Sequence, residues 1–362
     1  MKSLKIGNLT IPTPIIQGGM GVGISLSGLA SAVANQGGVG VISSAGLGVI
    51  YNNLSSKYNE ASILGLREEL RKAREATKGV IGVNVMVAMS NFADMVKTAI
   101  AEKADIIFSG AGLPLSLPSF LEKDSVTKLV PIVSSARAAK LLCEKWFAGY
   151  NYIPDAIVVE GPKAGGHLGY AAKDLESPDH SLEHIVTEVV EVVREFESAH
   201  KCTIPVIAGG GIYTGEDIRS ILSLGADGVQ LGTRFVTTHE CDADVAFKQS
   251  YIDATEADIE IIQSPVGMPG RAIHNSFLER VKAGIAMPKA CPFDCIKTCK
   301  VEKSPYCIML ALFNAFKGKL ERGYAFAGSN AWRAEKLMSV KELVDSLKAE
   351  YEKAVANFTA RE

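Results

Sequence analysis

The chain has 362 residues, 47% of them hydrophobic, and a formal charge of −2, enough apolar mass for one large domain or two ordinary ones. There is no basic surplus for nucleic acid or an anionic membrane surface, so neither is an expected partner. The start, "MKSLKIGNLTIPTPII", lacks a secretory leader pattern, and no apolar run approaches the roughly 18 residues of a membrane span, so a cytoplasmic protein is expected.

Taken in chain order, short apolar runs rich in β-branched residues recur through the first two thirds of the sequence. They are "TPIIQ" at 13–17, "GVGVIS" at 38–43, "VIGVNVMV" at 80–87 and "ADIIFSG" at 104–110. Then follow "KLVPIVSS" at 128–135, "DAIVVEG" at 155–161, "IPVIAGGG" at 204–211 and "DGVQLGT" at 227–233. These runs do not alternate apolar with polar, which is the pattern of strands buried on both faces in a parallel sheet. Helical patterns separate most of them, such as "LSGLASAVANQG", closed by Gly37, and "GEDIRSILSLG", capped by Thr214. A polar stretch, "YNNLSSKYNEAS", reads as a long loop at the mouth, followed by a solvated helix in "LREELRKAREATKG". Eight strands alternating with helices predict an α/β fold, a (β/α)8 TIM barrel, with an open doubly wound sheet as the alternative.

In such a barrel the chemistry sits at the C-terminal ends of the strands. The first strand ends in "QGGMG" (Gln17 to Gly21), the third holds Asn84, the fourth ends in "SGAG" (Ser109 to Gly112) and the fifth in Ser134 and Ser135. The sixth ends in Glu160 and runs into a glycine loop carrying Lys163 and His167. Glycine and small polar residues thus gather on one rim, where backbone N–H groups can approach a ligand closely. Gly209, Gly210 and Gly211 lie before the helix that starts near Thr214, and Gly232 and Thr233 follow the last strand. Both loops stand where barrels often hold a phosphate, neutralised by backbone donors and a helix N-terminus; tight turns are the alternative for either loop alone.

Beyond residue 239 the pattern changes. "VAFKQSYIDATEADIEII" has helical spacing, "SPVGMPGRAIHN" is turn-rich with His274 at the surface, and "SVKELVDSLKAEYEKAVANF" reads as a final helix capped by Ser339. Seven cysteines in a chain of this size, with no export signal, argue against a disulfide framework. Four of them, Cys291, Cys295, Cys299 and Cys307, cluster with the spacing C-x3-C-x3-C-x7-C. On one unbroken helix the outer two of the first three would lie about 12 Å apart, too far to share a zinc with Zn–S bonds of about 2.3 Å. Pro292 marks a helix start at Cys291 and Pro305 a break before Cys307, so non-helical ends could still fold the four around zinc or an iron–sulfur cluster. Free or packing thiols are the other reading.

Together "PIIQGGMG", "GVNVMV", "EGPKAGGHLG", "PVIAGGGI", "GADGVQLGTRF" and "SPVGMPGRAIHNSF" resemble the nitronate monooxygenase (2-nitropropane dioxygenase) family. Its relatives include the flavin-dependent enoyl-ACP reductases. The resemblance runs from about residue 10 to 280 and resumes over "AFAGSNAWR" and "SVKELVDSL". It implies FMN at the C-terminal mouth of the barrel, under a smaller inserted lid domain. Carried over by position, Gly19 and Met20 line the flavin ring, and Asn84 and Glu160 sit beside the flavin or its ribityl chain. Gly165 and Gly166 let their loop lie against the ring. Gly209, Gly210, Gly211, Gly232 and Thr233 hold the phosphate, and His167 is the active-site histidine. Gln17 and Ser109 are weaker carry-overs, and Arg271 and Asn275 are read as lid structure that could face a nucleotide donor or the substrate. Lys163 reads as a solvated loop residue, with contact to an anionic substrate as the other reading, and "GSN" at 328–330 is expected to close back over the barrel mouth with Ser329 as a contact. The four clustered cysteines depart from the short lids of the family.

Residues 1–239 are therefore expected to form an FMN-binding barrel and 240–330 the lid, with a cysteine-rich segment at 291–307. Residues 331–362 would form a C-terminal helix that returns to the barrel. An imidazole is the one side chain with an unperturbed pKa near neutrality, so His167 is expected to move a proton or stabilise an anion beside the flavin, unless it merely bonds its own loop. The resulting expectation is an FMN-dependent oxidoreductase that oxidises alkyl nitronates with oxygen. One alternative is an NAD(P)H-dependent enoyl-ACP or quinone reductase on the same scaffold; another is a flavin-free phosphate-binding isomerase or synthase. The expected partner is a small-molecule substrate, and a homodimer is left open.

Overall fold

The computed structural model describes residues 1–359. A first hairpin, β1 (Leu4–Ile6) and β2 (Leu9–Ile11), precedes eight parallel strands that close on one another. These are β3 (Ile15–Gln17), β4 (Val39–Ser43), β5 (Val80–Met86), β6 (Ile106–Gly110), β7 (Lys128–Val133), β8 (Ile157–Glu160), β10 (Val206–Gly209) and β11 (Gly228–Leu231). Between β8 and β10 the chain makes a two-residue strand, β9 (Gly166–His167), which stands outside the barrel. All eight predicted runs are barrel strands, and the doubly wound alternative is ruled out by the closure of β11 on β3.

The reason the runs do not alternate in polarity is visible in the packing. Ile16, Ile106, Phe108, Val130 and Val158 point into the barrel, while Ile15, Ile107, Leu129, Ile157 and Val159 pack outward under the helices. Both faces are dry, so both sets are apolar. The hairpin was not foreseen: Leu4, Ile6 and Ile11 join the barrel-interior cluster and plug its N-terminal end. The C-terminal end is left for a ligand.

The helical layer is α1 (Ser27–Asn35), α2 (Leu47–Ile50), α3 (Tyr58–Ala76), α4 (Phe92–Ala101), α5 (Ala136–Tyr150), α6 (Leu182–His200), α7 (Gly215–Ser223) and α8 (Thr233–Val236). Helix α3 begins at Tyr58, inside the stretch expected to be loop. Between β6 and β7 there is no α-helix, only a turn of 3-10 helix at Leu117–Phe120. The indole of Trp146 covers that gap from α5 and donates to Pro114 O at 3.0 Å.

The remaining elements are α9 (Val245–Asp253), β12 (Ile259–Gln263), β13 (Pro269–Ile273), α10 (Ser276–Lys282), α11 (Ile308–Phe316) and α12 (Val340–Thr359). Two expectations fail here. "VAFKQSYIDATEADIEII" is not one helix: α9 stops at Asp253 and "IEIIQ" is β12, paired antiparallel with β13. Thr255 and Asp258 bond reciprocally at the start of a 3-10 turn and break the helix there. The turn-rich "SPVGMPGRAIHN" contains β13, which also pairs with β9, giving a three-stranded sheet β12–β13–β9 over the barrel mouth. Beneath it lies a second apolar cluster, with Ile262, Phe277, Ile296, Tyr306 and Tyr324 meeting Val22, Val49 and Met89 of the barrel loops. Helix α12 then returns to the barrel and packs on α7 and α1. Ser339 and Glu342 cap it reciprocally, as the sequence predicts.

Candidate active site

A cavity of about 480 Å³ opens at the C-terminal ends of the barrel strands, a size common for small-molecule sites. Its floor includes Gly19 and Met20 after β3, Asn84 of β5, Glu160 of β8 and Gln230 of β11. Gly165, Gly166 and His167 form one wall. The roof, from the segment after residue 260, is apolar: Met268, Ile296, Ile308, Met309 and Phe326. Gly19 is required by close approach, because a Cβ there would sit on Asn84 Cβ.

One end of the cavity is a cup of backbone donors. Gly210 (φ +102°) and Gly211 (φ +95°) adopt conformations open to glycine. Among the described residues, the N–H groups of Gly211, Gly232 and Thr233 have no backbone or side-chain acceptor, while the Gly210 N–H faces Gln230 O at the end of the β10–β11 ladder. The cup is closed by the segment Gly328–Asn330: Gly328 N–H donates to Thr233 Oγ1 at 2.9 Å and Asn330 Nδ2 to Gly211 O at 2.6 Å. Ser329 Oγ is buried with no partner. Unmet donors around a small hollow are what a phosphate needs. The N-terminus of α7 does not contribute, contrary to expectation. Asp217 already accepts from Tyr213 and Thr214 N–H, each at 2.9 Å, and Glu350 accepts from Gly215 N–H at 2.7 Å. Gly209 is also outside the cup, buried within β10.

His167 is held by a strand pairing, not by its glycine loop. Residue 167 pairs with Gly270 of β13, and Leu168 N–H donates to Pro269 O at 2.9 Å. Its Nε2 lies 2.7 Å from Ser264 Oγ, which also accepts Val266 N–H at 3.3 Å. Its ring meets the Phe326 ring edge-on at 5.0 Å between centroids. Nδ1 has no partner among the described residues. Burial pushes the pKa down to about 4, so the imidazole is neutral near pH 7. Glu160 moves the opposite way: burial at the foot of the cavity, with no cation beside it, raises its carboxyl to about 7.

Other predicted residues have structural work. Gln17 accepts Val41 N–H at 3.0 Å and bonds Gly18 O, stitching β3 to β4 inside the wall. Ser109 is fully buried and donates to Val85 O. Arg271, buried, donates to Pro162 O at 2.6 Å and Ala164 O at 2.7 Å, so it braces the loop ahead of His167 and does not face a ligand. Asn275 caps α10 and bonds Leu320 O and Gly323 O. His274 sits between Glu260 and Glu279, away from the cavity. Lys163 is exposed on the rim. Sequence reading missed Ser264, Gln230 and Tyr213, while Asn330 lies in the "GSN" segment expected to close over the mouth, as it does. Gln230 alone carried a signal, as the polar residue in the apolar run "DGVQLGT".

The cysteines are all free thiols. No helix starts at Cys291: the chain from 286 to 300 is irregular, and Cys307 is the residue before α11. Among the described residues no three or more His, Cys, Asp or Glu are grouped to hold a metal ion, so the zinc or iron–sulfur reading finds no preformed site. Burial, then the neighbouring Cys307, Cys291 and Cys299, raise the Cys295 thiol to about 12. This segment is clipped to the mouth: Ser90 N–H donates to Cys295 O at 3.1 Å and Lys297 N–H to Ala88 O at 3.0 Å.

A closed barrel with a glycine-lined cup at its last strands and a half-buried, neutral histidine over the same cavity defines a barrel with one ligand site at its C-terminal mouth. The family model described as nitronate monooxygenase matches residues 2–350. The chain therefore belongs to the nitronate monooxygenase family of FMN-dependent oxidoreductases, and the flavin-free isomerase alternative is set aside. It is 29% identical over 298 residues to a probable nitronate monooxygenase of Staphylococcus aureus, covering 75% of this chain and 78% of that one. It is 27% identical over 274 residues to a (3aS,4S,5R,7aS)-5-hydroxy-7a-methyl-1-oxo-octahydro-1H-indene-4-carboxyl-CoA dehydrogenase of Mycobacterium tuberculosis, covering 76% of this chain and 66% of that one. Among solved structures, FabK from Thermotoga maritima superposes with a TM-score of 0.73 at 26% identity, over 97% of this chain and 96% of that one. Among the described residues no helix is long and apolar enough to cross a membrane.

Proposed function

We propose that this chain binds FMN in the barrel mouth and oxidises alkyl nitronates with oxygen, with His167 as hydrogen-bond partner of the nitronate and as proton acceptor when the conjugate nitroalkane enters instead. The observation that carries the reading is a neutral, half-buried imidazole, fixed by Ser264, on an apolar cavity that ends in a cup of glycine backbone. The unmet donors at Gly211, Gly232 and Thr233, beside Gly210 and with the orphan hydroxyl of Ser329, fit the phosphate of FMN. Gly19, Met20, Asn84, Gly165 and Gly166 would line its ring and ribityl chain. Bound there, the flavin supplies the electron chemistry, passing electrons from substrate to oxygen.

The chain's own residues bind, orient and move a proton. A neutral His167 cannot act as a standing cation for an anionic substrate, which removes one of its two expected roles. It can donate a hydrogen bond to a nitronate oxygen, or accept the α-proton of the conjugate nitroalkane. Ser264 fixes which ring nitrogen is engaged, leaving Nδ1 for the substrate. Met268, Ile296, Met309 and Phe326 favour an alkyl chain and exclude water. Glu160, protonated below pH about 7, can donate to a ligand on the floor. The reductase alternative is supported by the likeness to FabK. It asks for a proton donor, a role that falls to Glu160, because an imidazole with a pKa of about 4 holds almost no proton to give at neutral pH. The test is oxygen uptake by the FMN-loaded protein with an alkyl nitronate and no pyridine nucleotide. Uptake supports the proposal; no uptake, together with NAD(P)H-dependent reduction of an enoyl thioester, rejects it.

A further inference from the structure

The cup offers only neutral donors, backbone N–H groups and the Ser329 hydroxyl, yet a flavin phosphate is a dianion. Besides Lys163, which is exposed on the rim against Gly211, surplus positive charge lies beside Tyr213, a buried residue that lines the cavity two positions after Gly211. The Arg234 guanidinium lies over the Tyr213 ring at 4.5 Å from its centroid, and that of Arg333 at 4.6 Å. Arg234 Nη1 also donates to Tyr213 Oη at 3.4 Å. Among the described residues neither arginine has a carboxylate within ion-pair distance. The Nε of Arg234 is buried with no partner at all. Both cations are tied to the cup by sequence: Arg234 follows Thr233, and Arg333 lies three residues after Asn330, whose amide holds Gly211 O.

Both guanidiniums are only part-buried, but held on one ring with no carboxylate beside them they repel each other, and a nearby anion would offset that. We propose that Arg234 and Arg333, acting through Tyr213, supply the counter-charge for the cofactor's phosphate. Arg234 donates to the phenol oxygen, which leaves the phenol O–H free to donate toward the cavity. A hydroxyl that accepts a hydrogen bond from a cation is a stronger donor in turn. The cup thus shapes the phosphate site, and the Arg–Tyr–Arg group charges it. This inference rests on the reading that the cavity holds FMN.

Comparing FMN with riboflavin, which has the same ring and no phosphate, tests it. Dissociation constants for both are measured by flavin fluorescence on the apoprotein and on Arg333→Gln, Arg234→Gln and Tyr213→Phe, with thermal melting to confirm folding. The inference expects FMN to bind each variant about tenfold more weakly, with riboflavin binding unchanged. It also expects added salt to weaken FMN binding in the natural protein more than in the variants. Unchanged FMN affinity in folded variants overturns it, and so does an equal loss of riboflavin, which would make the group a packing element. If the natural protein binds neither flavin, the cofactor reading fails and the inference falls with it. If Arg234→Gln does not fold, Arg333→Gln and Tyr213→Phe decide the matter.

Discussion

At the scale of single residues, the cavity holds two ionisable groups moved in opposite directions by the same cause, and the proposed function would run on them. Burial takes His167 down to about 4 and Glu160 up to about 7. The useful state, neutral imidazole with protonated carboxyl, therefore exists between those two values. Nitronate oxidation should rise with pH through about 4, stay level, and fall as Glu160 ionises near 7 and repels an anionic substrate. Glu160→Gln should flatten the alkaline limb and leave the acid limb in place. His167→Gln should lower kcat/KM by about 10²- to 10⁴-fold while retaining FMN, as read by absorbance and steady-state kinetics. An acid limb centred at the ordinary histidine value would show that the imidazole is not desolvated in the working enzyme.

At the scale of elements, the decisive feature is the sheet β12–β13–β9, which fixes His167 by pairing it with the roof. Arg271 of β13 holds the Pro162 and Ala164 carbonyls on either side of Lys163. Arg271→Met keeps the bulk but orphans both carbonyls, which costs about 1–3 kcal/mol for each buried acceptor left unmet. The expected result is a loss of about tenfold or more in kcat with FMN still bound, and faster amide exchange confined to residues 161–168. Unchanged kcat would mean that the strand pairing alone holds the loop. None of this sheet was legible in the sequence. The two residues of β9 are too few to show a period, and "IEIIQ" shares its apolar spacing with the helix before it. Ser264 was missed for a similar reason: a lone serine in a turn gives no signal until the fold brings it to His167.

At the scale of the whole molecule, the barrel was legible because eight dry runs leave few other solutions, and the rim glycines followed from the strand ends. The hairpin plug was not legible, since "LKI" and "LTI" are too short to distinguish from a loop. The role of the last helix was clear in kind. Helix α12 buries Val340, Leu343, Val344 and Leu347 where it packs on α7 and α1. Each such side chain is worth about 1.5–3 kcal/mol, so the four together approach the whole stability of a typical domain. A chain truncated after Ser339 should therefore be insoluble or protease-sensitive, as limited proteolysis would report. A truncated chain that folds and binds FMN like the full one would show that the barrel closes without its last helix.

The central claim is that the barrel holds FMN and that a nitronate, not a pyridine nucleotide, delivers its electrons. The most direct test is anaerobic titration of the FMN-loaded protein, followed by absorbance, with an alkyl nitronate and separately with NADH and NADPH. The account predicts bleaching of the flavin by the nitronate, restored by oxygen, with the pyridine nucleotides leaving it oxidised. Bleaching by NADH or NADPH and none by the nitronate would contradict it and make the protein a reductase.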